Sequence, residues 1–349
     1  MSEKLLDYKG SNLVSCPSTV PIVLIIVAIA LMTPVEALAQ TYRVVDLGHG
    51  PVSYAQDISD NGTIVGCFIS DHITHFFVLG HNSTFEAGPM GGNQICAIGV
   101  NNRGEVTGSG RILGDFAVRA FLYRNDVLQL LPTIETGRSD ATDINDRGDI
   151  VGQALIAFPN SVVPVLYKNG EIINLGIPAG AESGSAVAIN NSGQIALYIS
   201  FGQGLARFFI YEKGTFQDGG TLGGRESIPT RINNRGQVVG YSHTNAGSLH
   251  AFLYEHGFMT DLGDLGGGQS VARGVNERGH VVGTSNRTDG TMTTFIWARG
   301  EMKDLNLSLI ESEGWYISEA AAINNSGEIV GTGLIDGESH AILLVPVSR

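Results

Sequence analysis

The sequence predicts an all-β chain folded as a seven-bladed β-propeller of four-stranded antiparallel blades, and three observations predict it. The pattern A-x-x-I-N-x-x-G-x-I-V-G returns seven times. An aromatic-rich hairpin pattern follows it in the repeat. The two ends are out of phase in complementary ways, the first segment matching a fourth strand and the last a third. Outside the N-terminal leader no stretch sustains a helical period of apolar residues, so helices are not expected.

Residues 1–39 read as an export leader. Lys4 and Lys9 give a positive start, Val20 to Met32 is apolar but short for a bilayer span, and Ala37-Leu38-Ala39 is a small-residue cleavage site before Gln40. We expect cleavage after Ala39 and a secreted or periplasmic product with no membrane attachment; an uncleaved anchor is the alternative. Cys16 precedes the apolar run and the residue directly after the cleavage site is Gln40, not a cysteine, which does not support a lipid anchor. Residues 40–349 are then one domain.

The seven copies begin at Ala55, Ala97, Ala141, Ala186, Pro229, Ala272 and Ala320. Their turn glycines, from Gly62 to Gly327, lie 42 to 48 residues apart, the length of four short strands and their turns. Each copy reads as a small, apolar strand, a turn whose Asn and Gly tolerate positive φ, and a second apolar strand. Ser59 replaces the turn Asn in the first copy, and Ala196-Leu197 replaces Val-Gly in the fourth, so irregular blades are expected there.

The second hairpin is fullest from His250 to Gly263 (HAFLYEHGFMTDLG) and supplies strands three and four. Strands apolar on both sides fit sheets covered front and back by their neighbours. Tyr42 to Gly48 (YRVVDLG) matches a fourth strand and His340 to Val347 (HAILLVPV) a third. The N-terminal strand over 42–48 is therefore expected to complete the last blade and close the ring, which removes exposed sheet edges.

His250-Ala251-Phe252, the weaker His340-Ala341-Ile342 and His75-Phe76-Phe77, and the I-N-x-x-G-x-V-V-G hairpins resemble the extracellular HAF repeat family over essentially the whole mature chain. The resemblance implies an exported repeat protein and no particular activity.

Composition narrows the function. The chain carries a formal charge of −13, and the mature part stays strongly acidic, so nucleic acid is an unfavourable partner. Cys67 falls in a second strand and Cys96 in the next first strand; pairing is open, and two buried thiols are the expectation. Seven equivalent residues cannot share one asymmetric site, so repeated polar residues are read as structural. Asp143, Asn145 and Asp149 approach a calcium loop, but Arg147 occupies a ligand position, and turn chemistry is preferred. The His of strand three varies to Arg119, Val163, Arg207 and Thr293, as a strand-end packing or hydrogen-bonding position would. The Ser two places before the repeat Ala (Ser53, Ser139, Ser227, Ser270, Ser318) is read as satisfying backbone groups.

Variable polar residues gather in the connections between strands two and three, expected on one face around a channel. Asp71, His72 and His75 form the one local ligand-type cluster, and Arg225, Glu226 and His243 are candidates to join it. No catalytic constellation, metal site or cofactor motif is found. The expected function is a monomeric, non-catalytic module presenting this face to an extracellular protein or carbohydrate; a polysaccharide-acting lyase or hydrolase over the channel is the alternative.

Overall fold

The computed structural model describes residues 40–347 except 51, 81–83, 88–90, 113–116, 158–160 and 313. The leader and its cleavage site lie outside the described residues. The rest forms strands β1 to β28 in chain order, with one short 3-10 turn at Asn306–Ser308.

The fifth copy shows how the repeat pattern makes a hairpin. β18 (Gly223–Ile232) runs into the turn and β19 (Val238–Thr244) leaves it. Between them the Asn233 side-chain oxygen accepts hydrogen bonds from the backbone N–H groups of Arg235 and Gln237, 3.1 and 3.0 Å away. Gly236 sits at φ 76, where a side chain is strained. In the first copy Ser59 lacks the amide, and Asn61 supplies it: its oxygen accepts from the Thr63 N–H at 3.0 Å.

The last glycine of the pattern serves close approach. A β-carbon on Gly240 would lie 2.0 Å from the Ile228 carbonyl oxygen. Phe252, the aromatic of the third strand, pairs opposite this glycine and is fully buried. In the fourth copy Leu197 takes the position yet keeps regular pairing with Ala186 and Phe209, so the expected irregularity is absent. Its side chain is buried among Ile199, Phe209 and Leu175.

The sheets are antiparallel sets of four strands. β2 (Ser53–Ile58) to β5 (Thr84–Ala87), β6 (Gly91–Val100) to β9 (Val127–Leu130) and β10 (Ser139–Ile144) to β13 (Glu171–Asn174) stand separately. β14 (Ser183–Ile189) to β25 (Glu301–Asp304) form one twelve-stranded sheet, in which two single parallel pairings, Ala206 with Glu226 and Leu249 with Gln269, join sets of four. The last set is β26 (Tyr316–Ile323), β27 (Ile329–Ile335), β28 (Glu338–Val347) and then β1 (Thr41–Asp46). Thr41 pairs with Val347 and Asp46 with Ile342.

Apolar residues from consecutive sets pack face to face. Val65 and Phe76 of the first set pack with Ile95, Val106 and Phe121 of the second. Ala322, Val330 and Ala341 of the last set pack with Ile58, Ile64 and Phe77 of the first. A sheet buried on both faces needs no alternation of polar residues, which is why the strands read as apolar throughout.

Candidate ligand-binding site

In every repeat the first strand loses register just after its small residue, between Ala55 and Asp57 in the first copy and between Pro229 and Arg231 in the fifth. A bulge re-aims side chains, and here the first position after the small residue lines one cavity in all seven repeats and the second lines another in five. The first position, which includes Gln56, Thr142 and Arg273, lines a cavity of about 570 Å³. The second, which includes Asp57, Asp143 and Arg231, lines one of about 140 Å³. Residues of all seven repeats contribute to each, and Arg231 lines both.

Arg231 is the partition. Its guanidinium lies 3.0 Å from Asp57 and 3.4 Å from Asp143. The Asp57 carboxylate also accepts the Val100 N–H at 3.1 Å, and that of Asp143 the Ile189 N–H at 2.8 Å, so each ties its repeat to the next. Burial pushes both carboxyl groups up against the pull of Arg231, Asp143 to about 6. Burial also works against the Arg231 charge, but the two carboxylates outweigh it and hold its pKa above the ordinary value.

At the smaller mouth the turn polar groups are engaged with one another. The Asn145 side-chain N–H donates to the Asn190 carbonyl, that of Asn190 to the Asn233 carbonyl, and that of Asn233 to the Asn276 carbonyl. The next turn residues form a second series, each backbone N–H donating to the side chain of the following repeat. It runs from Asp60 to Asn102 and Asp146, through Asn191, Asn234, Glu277 and Asn325, and the Asn325 N–H returns to Asp60 at 2.9 Å.

The larger mouth differs. Thr142 and Thr230 donate to backbone carbonyls, and the Gln153 side-chain N–H donates to Asp140. Among the described residues the hydroxyls of Tyr198 and Tyr241 and the Gln56 amide have no hydrogen-bond partner, although all three line the cavity. Arg273 and Glu319 meet only loosely, at 3.9 Å, and both side chains are partly exposed. Burial raises the Tyr241 pKa, Arg273 opposing it, so its hydroxyl keeps its proton and can donate.

A cleft of about 490 Å³ lies further along the same two strands. Gly223 pairs with Thr244 and Ser227 with Ser242, so Gly224, Arg225 and Glu226 bulge opposite His243 alone. The bulge needs its glycine, because a β-carbon on Gly224 would lie 2.5 Å from the His243 carbonyl oxygen. Glu226 lies 3.5 Å from the His243 ring nitrogen, and Arg225 donates to the Gln203 carbonyl at 3.3 Å. The buried Thr244 hydroxyl oxygen, also in this cleft, has no partner.

The structure thus brings together Arg225, Glu226 and His243, and places Asp71, His72 and His75 elsewhere. Asp71 and His72 are the exposed two-residue turn between β3 (Ile64–Ser70) and β4 (Ile73–Leu79), at φ 51 and 64. His75 stacks on Phe68 with ring centroids 4.9 Å apart. Its counterparts clamp the end of the fourth strand: His250 meets Asp261 at 2.9 Å and His340 meets Asp46 at 3.1 Å, while Arg207 meets Asp218 at 2.8 Å. The repeat serines satisfy backbone as read, Ser270 accepting the Ala251 N–H and Ser227 the Phe208 N–H. The expectation of two free thiols is corrected. Packing of consecutive sets brings the Cys67 and Cys96 α-carbons to 5.4 Å, and the two form a disulfide.

Sequence reasoning missed Tyr198, Tyr241, Arg273, Glu319 and Arg231. Their signal is departure within one column of the repeat. Tyr198 and Tyr241 stand where other copies carry Cys67, Ser109, Gln153, Thr284 and Thr332, and Arg231 stands in a column of Asp, Gly and Ala.

Known structures agree on the architecture. The β-propeller domain of the Trilobed protease from Pyrococcus furiosus matches with a TM-score of 0.52 at 13% identity, over 72% of this chain and 81% of that one. A puromycin-hydrolyzing peptidase of Mycobacterium tuberculosis matches at 0.56 and 12% identity, over 87% of this chain and 53% of that one. A puromycin hydrolase matches at 0.57 and 15% identity, over 85% and 52%. The fold is that of a β-propeller. At these identities the likeness extends to fold alone, and this chain spans about half the length of the two hydrolases. No protein-family model matches the sequence, and no curated protein does. In propeller terms, the larger cavity and the cleft open among the connections of the second and third strands, and the smaller cavity among the turns.

Proposed function

We propose that this chain is an exported, monomeric, closed seven-bladed propeller of the HAF repeat type that binds without catalysis, presenting the face around its larger cavity to an extracellular carbohydrate or protein. The observation that carries the reading is the contrast between the two mouths. Turn-face polar groups satisfy one another, whereas Tyr198, Tyr241 and Gln56 offer hydrogen-bonding capacity that no described neighbour uses, and Arg273 and Glu319 meet only across 3.9 Å. A concave site with aromatic walls and a few uncommitted polar groups is the usual form of a ligand site. Support for the closed ring comes from β1 on β28, the packing of Ala341 with Phe77, and the hydrogen bond from Asn325 back to Asp60.

The test is binding of the purified chain to immobilised extracellular glycans and secreted proteins, with Tyr198→Ala/Tyr241→Ala as the loop-face variant and Asn234→Ala as the turn-face variant. We expect hits lost in the first and kept in the second; the reverse pattern overturns the reading. Removal of residues 40–48 is expected to abolish the monomer, because it strips β28 of its β1 partner and leaves that side as an exposed sheet edge. Mass spectrometry of the exported protein should find Gln40 at the N-terminus. The Glu226 and His243 pair keeps the lyase or hydrolase reading in view. New reducing or unsaturated ends released from a polysaccharide, and lost in Glu226→Gln, would establish it instead.

A further inference from the structure

Resting on that reading of the face, we propose that the larger cavity holds one unit of a neutral glycan chain against Tyr198 and Tyr241, and that the chain continues into the cleft of Glu226 and His243. Four observations lead there.

The first is continuity. Ile228 and Tyr241 pair across β18 and β19 and line the cavity, and Glu226 and His243, two residues further along each strand, line the cleft. A ligand extended along this blade therefore meets both sites, whereas a compact one fills only the first.

The second is surface chemistry. The two tyrosines follow equivalent positions of neighbouring repeats, Leu197 and Gly240, and both line the cavity. Aromatic side chains offer a flat apolar platform with a polar tip, which suits the C–H face of a pyranose ring and its hydroxyl rim. The other groups on offer, the Gln56 amide and the Arg273 and Glu319 ends, are paired donors and acceptors, as a ring of hydroxyls that both donate and accept requires.

Charge is the third. The cations of the cavity are matched, Arg231 by Asp57 and Asp143 and Arg273 by Glu319, and in the cleft the Arg225 charge is balanced in number by Glu226. With no surplus positive charge in the cavity, on a chain of formal charge −13, a uronate or sulfated polymer is disfavoured.

The fourth is size. About 570 Å³ falls within the roughly 300–1,000 Å³ typical of small-molecule sites. A folded protein would instead need a broad, well-packed surface, and the exposed large apolar residues, such as Phe258 and Leu307, line neither cavity.

The experiment uses the full chain, recovered after export, with calorimetry against neutral oligosaccharides (β-glucan, xylan, mannan and chitin series of two to six units) and against alginate and pectate oligomers. We expect at least one neutral series to bind, with affinity rising about tenfold or more from two to six units. Tyr241→Ala should weaken every length by about tenfold or more, as loss of a stacked ring implies. Tyr241→Phe should keep the stack and lose less. His243→Ala should weaken only the longer oligomers, with unchanged circular dichroism. Length-independent affinity overturns the continuation into the cleft. Preference for the acidic oligomers, or indifference to Tyr241→Ala, overturns the proposal. If no oligosaccharide binds but a protein does, at the loop face, the binding module stands and the glycan does not; binding that moves to the turn face removes both.

Discussion

Asp143 at the partition gives a prediction whose sign follows from burial. Its carboxyl is raised from an ordinary 3.8 to about 6, chiefly by burial, with Arg231 at 3.4 Å offsetting part of the cost and the Asp57 charge adding to it. A carboxyl held above its unfolded value binds its proton more tightly in the folded chain. Its contribution to stability is therefore fully present below pH 3.8 and is lost as pH rises to about 6. A rise from 3.8 to about 6, at about 1.4 kcal/mol for each pH unit, makes that loss about 3 kcal/mol. Asp143→Asn replaces the group with a neutral one of the same shape that can still accept the Ile189 N–H. It also leaves Arg231 to Asp57 and removes a like charge from that residue, which acts in the same direction. The variant should match the parent near pH 3.5 and exceed it by up to about 3 kcal/mol at pH 7. Guanidinium unfolding followed by tryptophan fluorescence at half-unit steps from pH 3.5 to 7 measures this, and carboxylates common to both chains cancel in the difference. A difference that stays flat with pH would refute the reasoning, as would a variant less stable at pH 7, since either means that Arg231 and not burial sets the Asp143 pKa.

Other residues make shorter predictions. Asn276→Ala removes the acceptor of the Arg278 and His280 N–H groups and the donor to the Asn324 carbonyl, and should cost about 2–3 kcal/mol in the same unfolding assay. Asn276→Asp should recover part of this, since it keeps the acceptor. Gly240→Ala places a β-carbon on the Ile228 carbonyl and should cost about 2 kcal/mol or more, whereas Gly257→Ala, with open space around it, should cost only the roughly 1 kcal/mol of side-chain strain at its φ of 87. An equal cost at both would mean that close approach is not why Gly240 stands there. Cys67→Ser/Cys96→Ser should lower stability by up to about 3.5 kcal/mol, and non-reduced peptide mapping of the parent should recover the Cys67 and Cys96 peptides joined. Free thiols in the exported protein would contradict the pairing.

The antiparallel four-strand sets and the pairing of residues 42–46 with the last strand were legible because they rest on local rules. A turn whose Asn accepts the backbone N–H groups and whose Gly takes positive φ makes a hairpin from local rules alone, and the phase of a repeat needs only counting. The role of the last repeat glycine was not legible, since its contact is a carbonyl across the bulge. The disulfide was hidden for a similar reason: Cys67 and Cys96 are 29 residues apart, and only the packing of one sheet on the next sets their separation.

The site divides along the same line. The juxtaposition of Arg225, Glu226 and His243 in one cleft was legible because they belong to variable connections, which sequence comparison among the repeats exposes. Asp71 and His72 lie outside both the cavity and the cleft, because spacing alone cannot tell a ligand pair from a two-residue turn. Tyr198, Tyr241, Arg273 and Glu319 sit on strands, where a side chain's partner is fixed by a bulge and by residues from other repeats. By itself the sequence determined the repeat, its turns and its buried faces, because those depend on neighbours within a dozen residues. Which polar groups are left unmatched was decided only by the tertiary structure, since matching joins groups far apart in the chain, 174 residues for Asp57 and Arg231 and 265 for Asp60 and Asn325.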